Sequence, residues 1–313
     1  MPPDHPMHPW PELPLAPWRG TRDTLHMWTQ IVGKTLLAYC PPQNHWWHSA
    51  LRVTARGLAS PSPLLVGDRR FDLELDLVEH VLAVRGDGLL RTMPLAPRTV
   101  RSFFEEYVAL LRGLDIDLHI WTTPVEIPEP IPFDQDEVHR EYDADAAHRF
   151  WHALRSSDAA LRSLANAYVG KQSPVQFFWG SFDLASTRFS GRRAPERPGA
   201  DRVTREAYSH EVISFGFWPG GAMPDGTWVD EPLFYAYAAP EPSGFADAAV
   251  RPAAARYDAA LREFVLPYDA VRASADPERA VREFCESVYA AGAALGGWDR
   301  GELERGQATA PAS

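Results

Sequence analysis

Lysine is scarce in this chain, and its two lysines are the residues whose placement most suggests chemistry. Lys34 and Lys171 are the only lysines among 31 basic residues, and each directly follows a Val-Gly dipeptide. Glycine commonly ends a helix, so the sequence predicts both lysines just beyond a helix C-terminus, where an ammonium can satisfy the last carbonyls. Arginine would serve equally well there. An ammonium can also be desolvated to act as a base or nucleophile, so both lysines are catalytic candidates.

A row of polar side chains lies within a predicted strand at residues 175–189. Regular alternation places Trp179, Ser181 and Asp183 on one face of this strand. The matching face of an earlier predicted strand carries Trp47, with Leu51 where Asp183 stands. This asymmetry makes Asp183 a catalytic candidate and Trp47, Trp179 and Ser181 ligand-binding candidates. The alternative is that these polar side chains only face water and bind no ligand.

His210 is the fourth catalytic candidate. With Ser181 and Asp183 it would complete a hydrolase triad. The stretch Trp-Gly-Ser-Phe-Asp around Ser181 is not the G-x-S-x-G elbow, however, and its pattern is that of a strand rather than a strand-to-helix turn. The sequence therefore disfavours a hydrolase of that kind.

Histidines also raise the question of a metal site, for which the candidate ligands are His45, His48, His210 and Glu211. Residues three apart on a regular strand point to opposite faces, which argues against joint ligation by His45 and His48. We therefore expect no bound metal. The chain has no P-loop and no GxGxxG after a strand, so no nucleotide cofactor is expected either.

An arginine-rich loop begins at Arg188 and continues through Arg205 in an otherwise acidic chain. Guanidinium groups bind carboxylates and phosphates with two parallel hydrogen bonds. Arg188 and Arg192 are therefore the predicted clamp for an anionic ligand. The alternative is a solvated loop in a sequence that favours arginine throughout.

Short repeated motifs indicate an internal duplication. Trp47 and Trp179 each precede an arginine by nine residues, and Val-Arg-Ser-Phe-Phe-Glu at residues 100–105 matches Val-Arg-Glu-Phe-Cys-Glu at residues 281–286. We predict two related halves that meet in the Pro-rich stretch 124–132. The predicted organisation is an N-terminal arm at 1–20, α+β halves at 21–125 and 126–300, and a disordered tail at 301–313.

The elements that must position these residues follow from periodicity and end signals. Each half is predicted to contain helix, antiparallel strands and helix, an α+β fold with pseudo-twofold duplication. Gly33 and Gly170 are predicted to end the first and third helices. The predicted helices cover residues 24–32, 99–111, 143–169 and 277–293. The predicted strands cover residues 35–39, 46–56, 71–77, 81–85, 117–121, 175–189, 211–217, 233–238 and 263–266.

Three stretches of the sequence resemble a known family: Asn44–Trp47, Ser173–Leu184 and Ala207–Val212. They are similar to a bacterial family catalogued as domain of unknown function 5996, and the resemblance covers nearly the whole chain. This resemblance implies no activity, so the functional argument rests on the residues themselves.

Composition argues against several classes of protein. A net charge of -11 disfavours a nucleic-acid-binding protein, and no apolar run is long enough to span a membrane. The N-terminus lacks the pattern of a signal peptide, and the two distant cysteines suggest reduced thiols. A bacterial cytoplasmic protein is therefore expected, with its oligomeric state left open.

These observations together predict that the protein binds a small organic anion in a cleft between its halves. Whether it also acts on that ligand as an enzyme is left open. The alternative is a non-catalytic interaction or scaffold protein, in which the aromatic residues form core and the arginine-rich loop meets an acidic partner.

Overall fold

The computed structural model describes residues 8–86 and 88–306, which divide into two compact units. The first unit consists of residues up to Ser156 together with Gln176–Leu184 and Pro219–Pro232. The second consists of Ser157–Val175, Ala185–Trp218 and the residues from Leu233 onward. Each unit is therefore assembled from segments that are distant in sequence.

The regular elements are helices and antiparallel strands, which confirms the predicted α+β class. The α-helices are α1 (Leu15–Tyr39), α2 (Val100–Arg112), α3 (Ala144–Ser163), α4 (Arg202–Ala207), α5 (Tyr268–Arg272), α6 (Pro277–Leu295) and α7 (Arg300–Leu303). Short 3-10 segments lie at Asn44–Trp46, Leu164–Ala167 and Phe245–Asp247. The strands are β1 (Arg52–Val53), β2 (Gly57–Ala59), β3 (Leu64–Val66), β4 (Arg69–Asp76), β5 (Val81–Gly86), β6 (Leu89–Pro94), β7 (Gln176–Phe178), β8 (Asp183–Arg193), β9 (His210–Trp218), β10 (Gly221–Ala222), β11 (Trp228–Val229), β12 (Leu233–Ala239), β13 (Arg256–Asp258) and β14 (Glu263–Pro267).

The sheet of the first unit is built around β4, and its pairings are antiparallel. Its strand order is β1-β2-β4-β5-β6, and β3 also pairs with β4. Alternate residues Phe71, Leu73 and Leu75 of β4 are buried, and Leu73 lies opposite Val84 of β5. Apolar and polar residues alternate along β4, as in a half-buried strand, and the predicted strands at 71–77 and 81–85 are confirmed as an antiparallel pair.

Helix α1 is almost wholly buried and extends further in both directions than the sequence predicts. It begins at Leu15, inside the predicted N-terminal arm, and continues through Gly33 to Tyr39. The predicted helix end at Gly33 and the predicted strand at 35–39 are therefore wrong. A Cβ atom on Gly33 would lie 2.1 Å from the indole ring of Trp179, so this glycine serves close packing rather than a turn.

Two other predicted strands of the first unit are wrong. The segment predicted as strand 46–56 holds only β1, because His45 and Trp46 have positive φ angles of 56° and 61° that are incompatible with extended backbone. Residues 117–121 form no strand. The backbone carbonyl of Asp117 instead accepts a hydrogen bond from the Tyr39 hydroxyl at 2.7 Å.

The predicted strand at 175–189 is interrupted by a turn. Strand β7 ends at Phe178, and β8 begins at Asp183. Phe182 has a φ of 62°, and its amide donates to the carbonyl of Phe178 at 2.8 Å. Trp47 and Trp179 both lie outside strands, so the expectation that they occupy equivalent strands is wrong.

The second unit contains an antiparallel sheet that includes the strand order β13-β14-β12-β9-β8. Helix α6 packs on one face of this sheet, with Val281, Phe284 and Val288 fully buried. The side chain of Asp276 caps the helix by accepting from the Arg279 amide, and Pro277 occupies the first turn. The predicted strands at 211–217, 233–238 and 263–266 and the predicted helix at 277–293 are confirmed.

The remaining predictions concern the segments before Lys171 and after α6. Helix α3 ends at Ser163 and is followed by the 3-10 segment, so the predicted helix at 143–169 is confirmed over its main part only. The first residues of the predicted tail are ordered, with α7 and a β-bridge between Tyr168 and Glu304. Residues 307–313 of that tail lie outside the described residues.

None of the helices in the described ranges is long and apolar enough to cross a membrane.

The packing of Gly33 against Trp179 predicts the sign of the stability change when Gly33 is replaced by alanine. Alanine in the middle of a helix normally stabilises by about 1 kcal/mol relative to glycine. We expect Gly33→Ala to destabilise the protein instead, by about 1–3 kcal/mol, because the new methyl group displaces the Trp179 ring. Urea unfolding of the variant measures the change.

The matched control is Gly301→Ala in α7, where the new Cβ makes only an ordinary 3.4 Å contact with Asp299. The urea concentration at which this variant unfolds should equal that of the parent or be slightly higher. A Gly33→Ala protein more stable than the parent would show that Trp179 does not rest on this glycine.

Candidate functional site

Lys34 lies inside α1 and is only 6 % exposed. Its ammonium donates to the carbonyl oxygen of Thr123 at 2.7 Å and lies 5.0 Å from the centre of the Trp121 ring and 5.8 Å from that of Phe133. Burial lowers the pKa of Lys34 to about 8. Its partner is thus a distant backbone segment, and the predicted role as a cap beyond a helix end does not apply.

Lys34 ends a row of buried polar residues spaced four apart along α1. Arg22, His26, Gln30 and Lys34 are each no more than 6 % exposed. Residues four apart share one face of a helix, so these side chains form a polar stripe on a helix that is otherwise packed into the unit. This periodicity is visible in the sequence and was missed there.

Two members of the stripe hold irregular backbone through hydrogen bonds. Gln30 donates to the carbonyl of Val125 at 2.8 Å and accepts from its amide at 2.9 Å. His26 Nε2 lies 3.0 Å from the Trp179 carbonyl and 2.9 Å from the Gly180 carbonyl. Two carbonyl acceptors require a proton on Nε2. Burial, followed by the charge of Arg22, lowers the pKa of His26 to about 3.

The sequence candidates around Trp179 lie in the same unit, at the turn between β7 and β8. Trp179 donates its indole N–H to the carbonyl of Ser49 at 2.8 Å, and Ser181 donates to the carboxylate of Asp183. Asp183 is 6 % exposed. The carbonyl of Trp47 accepts from Gln176 at 2.9 Å. The Ser181–Asp183 contact is therefore local to the turn.

The candidate metal ligands are divided between the two units. His45 lies within the 3-10 segment Asn44–Trp46 of the first unit, and His48 follows that segment. His48 Nδ1 accepts from the amide of Gln43 at 3.1 Å. His210 and Glu211 belong to the second unit, as consecutive residues of β9 whose side chains point to opposite faces. Within the described ranges, no group of three or more His, Cys, Asp or Glu side chains is arranged to hold a metal ion.

Arg188, one half of the predicted anion clamp, is 1 % exposed in the core of the second unit. Its guanidinium donates to Glu286 at 2.8 Å and to the carbonyl of Leu164 at 2.6 Å. The rings of Tyr289 and Tyr168 lie 4.4 Å and 4.9 Å from its central carbon. These contacts place Arg188 on the α6 side of the sheet as an internal ion pair, out of reach of a ligand.

Arg192, the other half of the predicted clamp, is also held by the second unit itself. It donates to Glu211 at 2.6 Å and to the carbonyls of Gly296 and Gly297 at 2.6 Å and 2.9 Å. This guanidinium therefore ties β8 and β9 to the end of α6. A ligand would have to compete with Glu211 for it.

The opposite face of the same sheet brings two sequence candidates together. His210 and Lys171 lie close enough for the lysine charge to act on the imidazole, and Arg193 acts on it as well. Burial, then these two charges, lowers the pKa of His210, and burial lowers the pKa of Lys171. We call Lys171, Arg193 and His210 the basic cluster. Arg193 was not singled out as a ligand residue in the sequence.

Hydroxyl groups continue this face beyond the basic cluster. The hydroxyls of Thr187 and Ser214 lie 2.9 Å apart, as do those of Tyr208 and Tyr237. Ser214 is paired with Tyr237 across β9 and β12, so their side chains share the face. The hydroxyls on this face are thus paired with one another, and Ser214 is only 2 % exposed.

Comparison with known proteins places the chain in a family. Residues 10–305 match a family of unknown function, DUF5996. The chain belongs to the DUF5996 family. The resemblance seen in the three sequence stretches is thereby confirmed. No curated protein and no solved structure matches the chain with significance.

The two lysines of this DUF5996 protein provide a matched pair of substitutions. We expect Lys34→Arg to lower the free energy of unfolding by about 1–3 kcal/mol, because a larger planar group must fit between Trp121 and Phe133. Lys171→Arg should leave stability within about 0.5 kcal/mol of the parent, because that side chain is exposed. Chemical denaturation of both variants checks the contrast. Equal stability of the two would contradict the buried placement of Lys34.

His26 gives a pH dependence with a defined sign. The unfolded chain binds a proton at the ordinary histidine pKa of 6.5, whereas the folded chain binds it only at about 3. The folded state therefore carries fewer protons between these values, and its stability is complete above pH 6.5 and declines as the pH falls. The decline expected from this group is about 1.4 kcal/mol per pH unit.

Urea unfolding at pH 7 and pH 5.5 measures this effect. His26→Gln keeps a donor toward the Trp179 and Gly180 carbonyls and should reduce the difference between the two pH values. An unchanged pH dependence in this variant would show that His26 is not buried in its neutral form.

Proposed function

We propose that this protein binds a small organic anion at the basic cluster of its second unit. The observation that supports the proposal is that burial, and then the charges of Lys171 and Arg193, lower the pKa of His210. Repulsion by these charges and partial burial disfavour the charged form of the imidazole. A bound carboxylate group opposes the repulsion, because a nearby negative charge favours the protonated imidazole.

The surroundings of the basic cluster fit an organic anion that also carries hydroxyl or apolar parts. Lys171 lies 4.8 Å from the centre of the Phe189 ring, and Arg197 lies 4.0 Å from that of Tyr208. Cation–π contacts hold these cations against aromatic rings, so a ligand bound there would meet both charge and apolar surface. The Tyr208 and Tyr237 hydroxyls provide neutral partners for the rest of such a ligand.

Citrate is a suitable probe, because its carboxylates match the charge of the basic cluster. NMR titration of the His210 imidazole should show a higher pKa in citrate than in sodium chloride of the same ionic strength. Lys171→Gln should weaken this response, and Arg279→Gln, on an exposed salt bridge of α6, should not. The signals of His119 provide an internal control, because this ring is 81 % exposed.

A His210 pKa that does not change in saturating citrate would overturn the anion site. That outcome would leave the rival proposal, a non-catalytic scaffold whose arginine-rich loop meets an acidic protein. An enzymatic role for Lys171 or His210 rests on the same anion site and would fail with it.

We also propose that the chain arose by internal duplication. Helices α2 and α6 each follow an antiparallel sheet, and the matched valine and phenylalanine of both are fully buried: Val100 and Phe103 in α2, Val281 and Phe284 in α6. Lys34 and Lys171 give no support, because one lies inside a helix and the other does not. A bacterial cytoplasmic setting is likewise a proposal, supported by two buried free thiols, Cys40 and Cys285.

A further inference from the structure

A second cluster of titratable groups lies in the first unit, away from every candidate that the sequence suggested. His139 Nδ1 lies 2.7 Å from Asp136 Oδ2. The Asp136 side chain is completely buried, and a quarter of the His139 side chain is exposed. Because a carboxylate only accepts, Nδ1 donates, and the neutral ring carries its acceptor lone pair on Nε2.

Two backbone amides, in addition to the His139 ring, fix the Asp136 carboxylate. Its Oδ1 accepts from the amides of Val138 and His139, each at 3.0 Å. Both carboxylate oxygens are therefore used inside one short turn. The imidazole is oriented by a carboxylate that cannot rotate without losing three hydrogen bonds.

The backbone of the same turn is fastened to the start of α2. The carbonyls of Asp136, His139 and Arg140 accept from the amides of Arg101, Val100 and Arg98, each at 3.0 Å. These bonds use amides at the start of α2 that have no partner within the helix. His139 is thus positioned by a rigid element, as a catalytic base requires.

His139 Nε2 has no hydrogen-bond partner among the residues that the structure describes. The charged groups that act electrostatically on the ring are Asp136, Asp23 and Arg22. Arg22 is 4 % exposed, donates to Asp23 at 2.8 Å and has a buried Nε that bonds to nothing in the described chain. The site therefore combines an imidazole nitrogen that has no partner in the described chain with a buried guanidinium whose charge acts on the same ring.

We propose that His139 is the general base of a hydrolytic site for small carboxylic esters, with Asp136 as its positioning residue. Nε2 takes a proton from a water molecule while the water oxygen attacks the ester carbonyl. The negative charge that develops on the carbonyl oxygen is stabilised by the positive charge of Arg22. Collapse of the tetrahedral intermediate breaks the bond to the alcohol oxygen, which takes the proton back from Nε2.

Esters fit this arrangement better than amides. An alkoxide or phenoxide is a weaker base than an amide anion and therefore leaves more readily with the proton from the imidazolium. The electrostatics agree with the geometry: the hydrogen bond from Asp136 raises the pKa of His139, and burial and Arg22 lower it in part.

The test uses the whole protein with p-nitrophenyl acetate as the probe. We expect His139→Gln to lower the rate of p-nitrophenol release by about 100-fold or more, the usual contribution of a general base. His119→Gln removes an exposed histidine and should leave the rate unchanged. If the parent is no faster than free imidazole, or His139→Gln is as fast as the parent, the site is not hydrolytic.

The role of Asp136 is tested by a pH profile, which a merely structural contact would not move. In the parent, the rate should rise with pH through an inflection above 6.5, and NMR titration of His139 should give the same value. Asp136→Asn should shift the inflection to lower pH. If that variant does not fold, agreement between the kinetic and NMR values in the parent still supports the proposal, and disagreement overturns it.

Discussion

The polar stripe on α1 is the interaction on which the first unit depends. A buried helix face that carries an arginine, a histidine, a glutamine and a lysine is costly unless every group finds a partner. Gln30 and Lys34 find theirs in the backbone at residues 123–125, and His26 finds its own at residues 179–180. Residues 123–125 and 179–180 are not part of any strand. Helix α1 therefore supplies the hydrogen-bond donors that a neighbouring strand would otherwise provide to their carbonyl oxygens.

The second unit meets the same constraint with one buried arginine. Arg188 lies between β8 and α6, where Glu286 balances its charge, the Leu164 carbonyl takes another donor, and tyrosine rings cover its faces. A buried ion pair adds little net stability, but removal of either member leaves an uncompensated charge that is expensive. Arg188, which the sequence suggested as an anion clamp, is thus a structural residue. The cations of the basic cluster are instead Lys171 and Arg193.

The two proposed sites differ in how their groups are held. Asp136 and His139 lie in one turn, and their geometry is fixed by bonds over a few residues and by the start of α2. Lys171 and His210 come from separate segments that meet on one sheet face. The first arrangement suits a proton transfer that needs a fixed direction, and the second suits a ligand that binds mainly by charge.

The sequence by itself determined the α+β class, the family, the hairpin of β4 and β5, the strands β9, β12 and β14, and the helix that starts at Pro277. These features are encoded locally, because alternation and capping residues report burial and chain direction within a few positions. Only the tertiary structure decided that α1 continues past Gly33, where the Trp179 ring makes a glycine useful inside a helix. It also decided that Arg188 is internal. The physical reason is that each of these outcomes depends on a partner or a backbone bond from elsewhere in the chain, which no local pattern contains.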